Sequence, residues 1–132
     1  MNYLIDTDIL IYSLKGREEV IEQFKAHRNF PKSMSVITYG ELMYGARKSK
    51  YVEKNMANVR RLAEVFPIIH ITPAIMETFG DLKTNLEKTG TTIDDMDLLI
   101  GSTAIAHNFV VVTNNTKHFE KIAGLELENW SL

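Results

Sequence analysis

Short apolar runs alternate with longer stretches of helical periodicity along the whole chain. Tyr3-Leu4-Ile5 is apolar and ends in Asp6-Thr7-Asp8, after which Ile9-Leu10-Ile11-Tyr12 continues towards Lys15 and Gly16. This pattern predicts a buried strand that turns at the aspartates straight into a short helix. From Arg17 to Arg28 the apolar Val20, Ile21 and Phe24 recur at helical spacing among charges, and Pro31 closes that segment. Met34 to Ile37 reads as a second strand, Thr38 to Arg47 as a helix, and Val52 to Phe66 as a longer helix with Met56, Val59, Leu62, Ala63 and Phe66 on one face. Pro67 precedes a third strand, Ile68 to Ile71, and Pro73 suits the first turn of a helix that runs to the region of Lys88. Another helix is expected from Asp94 to His107, then a strand from Phe109 to Val112, and Leu125, Leu127 and Trp130 alternate as an edge strand would. Strands alternating with helices imply βαβ units. The expectation is an α/β fold with a central, mostly parallel sheet of about four or five strands and helices on both faces.

Composition narrows the class. The 132 residues, 45% hydrophobic and 24% charged, match one globular domain spanning residues 1–132, without repeat, linker or low-complexity tract. No apolar run approaches the ~18 residues of a membrane span, and the N-terminus lacks a basic segment followed by an apolar one, so a cytoplasmic protein with no membrane partner is expected. The absence of cysteine removes thiol nucleophiles and sulfur-ligated metals, leaving oxygen or histidine as ligands. Seventeen acids against 15 bases give a net charge of −2, which at first argues against a polyanionic substrate. Three acids neutralised by a cation would leave 14 against 15, so the distribution matters more than the sum. Six of the bases, Arg47, Lys48, Lys50, Lys54, Arg60 and Arg61, fall within fifteen residues, either as a track for an RNA backbone or as a solvated helix surface.

In an open parallel sheet, ligands bind beyond the carboxyl ends of the strands, so polar residues there are the candidates for chemistry. Asp6 and Asp8 follow the first strand, Glu41 lies a helical turn beyond the second, Asp97 starts the Asp94 to His107 helix, and Asn114-Asn115 follow the fourth strand. Each has a purely local explanation. Thr38-Tyr39-Gly40-Glu41 fits a capping box in which Glu41 reaches back to the Thr38 amide, Asp6 could cap its helix, and acids at a helix start suit the dipole. Together they ask for more. Asp6 follows a strand that should be central and buried, where a charge needs a partner. Asp97 shares a face with Ile100, Gly101 and Ala104 and should point inward while Asp95 meets water. Inward carboxylates repel one another unless protonated or bridged by a cation, and an all-oxygen site suits magnesium or manganese.

Leu4-Ile5-Asp6-Thr7-Asp8, Gly40-Glu41-Leu42 with Gly45-Ala46, Asp97-Leu98-Leu99-Ile100, and Val112-Thr113-Asn114-Asn115 followed by His118-Phe119 closely resemble the PIN-domain ribonucleases. The tail Gly124-Leu125-Glu126-Leu127-Glu128-Asn129-Trp130 and the short length resemble, more narrowly, the VapC toxins of type II toxin–antitoxin pairs. The resemblance covers essentially the whole chain, in order. It implies a PIN-like fold and a Mg2+-dependent endoribonuclease, with Mn2+ able to substitute. Asp6 and Asp97 would be the principal metal ligands, Glu41 would bind directly or through water, and Asn115 would complete the catalytic set. It also implies a VapB-type antitoxin partner, an RNA substrate such as a transfer RNA, a homodimer, a toxin–antitoxin hetero-oligomer, and contact with operator DNA only through the antitoxin. One departure is visible: a further acid common after the last of these strands is replaced here by Asn115 and His118.

Two other readings compete. Asp6-Thr7-Asp8 after an apolar strand also resembles the haloacid-dehalogenase phosphatases, with Asp6 as nucleophile and Asp8 as acid and base, but fewer than twenty residues follow the Val110 to Thr113 strand. A non-catalytic module binding RNA or protein is favoured only by Asn115 in place of an acid. Gly40 and Gly45 have P-loop spacing but lead into Ala46-Arg47 rather than lysine and a hydroxyl residue, and His27, His70, His107 and His118 show no metal-binding spacing.

Overall fold

The computed structural model covers residues 1–132. Five strands, β1 (Tyr3–Ile5), β2 (Lys32–Ser35), β3 (Ile68–Ile69), β4 (Val110–Val112) and β5 (Leu127–Glu128), form one sheet in the order β3-β2-β1-β4-β5. Seven helices connect or follow them: α1 (Thr7–Leu14), α2 (Glu18–Ala26), α3 (Val36–Arg47), α4 (Val52–Val65), α5 (Pro73–Lys88), α6 (Asp95–His107) and α7 (Thr116–Phe119). Every strand pair is parallel, with Tyr3, Leu4 and Ile5 of β1 opposite Val110, Val111 and Val112 of β4.

β1 and β4 are apolar and buried at every position, as strands covered on both faces must be. Alternation divides them between two cores. Tyr3, Ile5, Val110 and Val112 pack with Ile9, Leu10, Met34, Leu42, Val59, Phe66 and Trp130 on one face. Leu4 and Val111 pack with Leu86, Leu98, Ile100, Ala104, Phe119 and Ile122 on the other. Gly101 permits a close approach within the second core, since a Cβ there would stand 2.5 Å from Ile122 Cδ1.

The second strand lies two residues earlier than its apolar run implies. Val36 and Ile37 are helical because Ser35 caps α3, its Oγ accepting from the Ile37 amide at 3.0 Å. Thr38 is therefore inside the helix, and the capping box expected between Thr38 and Glu41 does not form. The third strand is only Ile68–Ile69, without His70 and Ile71. α7, a single turn that buries Phe119, is too short for periodicity to reveal. The tail returns as β5, and its Trp130 stacks on His27 at 4.3 Å between ring centroids. No helix is long and apolar enough to cross a membrane.

Candidate active site

From β1 the chain steps outward to β2 and β3, then crosses back to β4 and β5 on the other side of β1. The reversal falls between β1 and β4, and a doubly wound sheet opens a crevice outside the carboxyl ends of the strands at such a point. Asp6 directly follows β1 and Thr113 directly follows β4, so both stand at this crevice.

Asp6 is the N-cap of α1 and is 6% exposed. Its Oδ1 accepts from the Thr7 amide at 2.8 Å and its Oδ2 from the Thr113 hydroxyl at 2.7 Å. Burial and the neighbouring Asp8 carboxylate push its pKa up to about 7, with a smaller push from Asp97, against the two hydrogen bonds. Asp8, which no local pattern singles out above Asp6, accepts from the Ile9 amide at 2.7 Å and the Asn114 amide at 3.1 Å. Burial raises its pKa too, and Asp97 adds to the rise. Asp8 and Asp97 thus stand close enough to oppose the ionisation of Asp6.

Asp97 occupies the first turn of α6, with a side chain 21% exposed, whereas Asp95 is 61% exposed and pairs with Lys83 at 3.0 Å. The inward and outward assignments made from helical spacing hold. Glu41 lies further out. It is exposed, and its Oε1 accepts from the Thr7 hydroxyl at 2.7 Å, with Thr38 Oγ1 3.2 Å from the same hydroxyl. Asn115 is half-buried; its amide donates to Thr113 Oγ1 at 2.9 Å and its side chain meets His118 Nδ1 at 2.8 Å. His118 Nδ1 also stands 3.4 Å from Asp97 Oδ2. Unprotonated, that nitrogen accepts from the Asn115 amide group; protonated, it donates to Asp97. A chain of polar contacts therefore runs Asp6–Thr113–Asn115–His118–Asp97.

The two threonines are the residues that reading the sequence missed. Thr7 and Thr113 supply the hydroxyls that aim Glu41 and Asp6, and their only sequence signal is adjacency to the aspartate and the strand end. As a receptacle for a cation, the donor set is all carboxylate oxygen with amide and hydroxyl support, and the negative charge gathered by Asp6, Asp8 and Asp97 is what a hard divalent ion offsets. No three acidic or imidazole groups meet in a ready-made metal cage, in keeping with the outlying position of Glu41.

The PIN-domain family model matches residues 3–125. The chain is 34% identical over 131 residues to Ribonuclease VapC2 of Haemophilus influenzae, covering 98% of each chain. It is 30% identical over 132 residues to the tRNA(fMet)-specific endonuclease VapC of Shigella flexneri, covering 99% of each. Its fold matches a chain of the crystal structure of VapBC2 from Rickettsia felis bound to a DNA fragment from their promoter, with a TM-score of 0.92, 36% identity, and coverage of 98% of this chain and 99% of that one. The chain belongs to the PIN-domain family and, within it, to the VapC ribonucleases.

Proposed function

We propose that this protein is the toxin of a type II toxin–antitoxin pair, an endoribonuclease that hydrolyses RNA phosphodiester bonds with Mg2+, or Mn2+ in its place. The observation that carries the reading is the convergence of Asp6 and Asp97, 91 residues apart in sequence, at the switch-point crevice, where each carboxylate opposes the other's charge. Asp6 and Asp97 would hold the ion, with Glu41 reaching it directly or through water. Such an ion supplies a more acidic water and offsets charge on the phosphoryl oxygens.

The remaining steps belong to the chain. Glu41, held by Thr7 and open to solvent, orients the attacking water and accepts its proton. The water oxygen bonds to phosphorus in line with the departing 3′ oxygen, which takes a proton as the bond to phosphorus breaks. Thr113 fixes Asp6, and Asn115 positions His118 beside Asp97. The ribose 2′-hydroxyl has no part, so the products are a 5′-phosphate and a 3′-hydroxyl. The name of the Shigella relative makes initiator transfer RNA the first substrate to try.

Inhibition falls to a VapB-type antitoxin, as the VapBC2 complex supports. A groove of about 330 Å3, lined in part by Ile11, Leu14, Leu42 and Val59, opens beside Glu41. An extended apolar segment laid there would cover Glu41 and close the crevice. The toxin is expected to form a homodimer, and the hetero-oligomer to reach operator DNA through the antitoxin.

The test is incubation of the purified protein with total RNA in Mg2+ or Mn2+, beside EDTA and Asp97→Ala controls. Discrete fragments with 5′-phosphate ends, lost in both controls, are expected. Cleavage that persists in Asp97→Ala, or 2′,3′-cyclic phosphate ends, rejects the mechanism.

A further inference from the structure

The exposed face of α3 carries features that hydrolysis does not use. Glu41, Tyr44 and Lys48 stand at i, i+3 and i+7, hence on one face, and all three are exposed. At about 1.5 Å of rise per residue, Tyr44 lies about 4.5 Å and Lys48 about 10.5 Å along the axis from Glu41. Tyr44 is 67% exposed, and the Lys48 ammonium sits 4.6 Å from its ring centroid. Just beyond the helix end, Tyr51 is 62% exposed with the Lys50 ammonium 5.5 Å from its ring. Two large rings are thus held in water, each beside a cation, with no core to fill.

Charge is segregated in the same place. Residues 47 to 61 hold six bases and one acid, a net +5 in a chain of net −2, so the rest of the molecule carries −7. Topology lifts this segment to the side of the carboxylates. α4 ends only two residues before β3, at the amino edge of the sheet. Its 14 residues span about 21 Å, whereas no strand exceeds four residues, or about 13 Å. The start of α4 and the turn before it therefore reach past the carboxyl edge, where Asp6 follows β1.

We propose that this stripe is a docking track for single-stranded RNA, with bases stacked on Tyr44 and Tyr51 and phosphates held by Arg47, Lys48 and Lys50. The proposal rests on the ribonuclease reading and adds the side chains on which the strand docks. A crevice of carboxylates repels phosphates, and an adjoining surface of +5 offsets that repulsion while leading the strand towards Glu41. The faces of duplex bases are already stacked on each other, so only an unpaired strand can use the tyrosines.

The test measures binding without turnover, in EDTA, by fluorescence anisotropy of a short fluorescein-labelled unstructured oligoribonucleotide and of its duplex. Tyr44→Ala and Tyr51→Ala are each expected to weaken single-strand binding about tenfold and to leave duplex binding unchanged, while Tyr44→Phe keeps wild-type affinity. Lys48→Ala should lower the salt slope by about 0.7. Circular dichroism checks that these exposed substitutions leave the fold intact. Absence of wild-type binding, alanine variants that bind the single strand like wild type, or equal losses for strand and duplex overturn the track. The two readings separate cleanly: Asp97-dependent cleavage with tyrosine-independent binding removes the track and leaves the nuclease, and tyrosine-dependent binding without cleavage does the reverse.

Discussion

The Thr113 hydroxyl donates to Asp6 Oδ2 at 2.7 Å across 107 positions of sequence, and the same oxygen accepts the Asn115 amide proton at 2.9 Å. One hydroxyl therefore ties the carboxyl ends of the two central strands together and fixes which way the buried carboxylate points. Thr113→Val removes that group at nearly constant volume, leaving the Asn115 amide unpaired and Asp6 with the Thr7 amide alone. A loss of about 1–3 kcal/mol in urea unfolding is expected, together with at least a tenfold loss of cleavage, whereas Thr113→Ser should keep most of both. Wild-type behaviour in the valine variant would remove the hydroxyl from the account.

Asp6 makes the metal-free protein sensitive to pH. Its folded pKa of about 7 lies above the ordinary 3.8 that the unfolded chain shows. Between those values the native state holds a proton that the unfolded state has released, so native stability falls as pH rises from about 4 to about 7 and then levels off, by at most about 4 kcal/mol. Chemical denaturation in EDTA at several pH values should show this fall. Asp6→Asn should flatten it and stabilise the metal-free protein at neutral pH while abolishing cleavage, and Asp8→Asn should move the window to lower pH. A divalent ion must displace the same proton, so its affinity should weaken progressively below about pH 7, with proton release measurable by calorimetry in buffers of different ionisation enthalpy.

The parallel sheet was legible because β1 and β4 are short, wholly apolar and closed by polar residues, which fixes both their type and their ends. Asp97 was legible because the two-residue step from Asp95, a little over half a helical turn, turns its side chain to the opposite face of α6. The strand after Pro31 was misplaced by two residues, since Val36 and Ile37 are as apolar as a strand requires and only the Ser35 cap decides against it. Thr7 and Thr113 lay beyond reach for a different reason. A hydroxyl has no periodicity of its own, and its partner is fixed by tertiary contact across 34 residues in one case and 107 in the other. Asp8 was visible as an acid, but its effect on Asp6 depends on burial and proximity that the sequence does not encode locally.

Glu41 should separate activity from stability. It is exposed and its recorded partner is the Thr7 hydroxyl, a bond that the oxygen of glutamine can also accept. Glu41→Gln is therefore expected to change unfolding free energy by less than about 0.5 kcal/mol while slowing cleavage by about 10²–10⁴-fold, as loss of a general base does. Binding of uncleaved RNA should be unchanged or tighter, because one negative charge has gone. Full activity in the glutamine variant would assign proton acceptance to another group.

Asn115 stands where a charged residue would give the crevice a further carboxylate, and Asn115→Asp tests what its neutrality does. The asparagine amide donates to His118 Nδ1, which an aspartate cannot do. With aspartate, His118 must carry its proton on Nδ1 to keep the contact, and Asp97 and the new carboxylate then compete for that one donor. The added charge also joins a cluster in which Asp6, Asp8 and Asp97 already oppose one another. Two effects of opposite sign follow from that single charge. The metal-free variant should melt at a lower temperature than wild type, most clearly at low ionic strength. Its affinity for Mn2+ should rise, with the melting temperature recovering as Mn2+ is added. Calorimetric titration with Mn2+ alongside thermal melts in EDTA measures both, and a variant that binds Mn2+ no better than wild type would place Asn115 outside the reach of the cation.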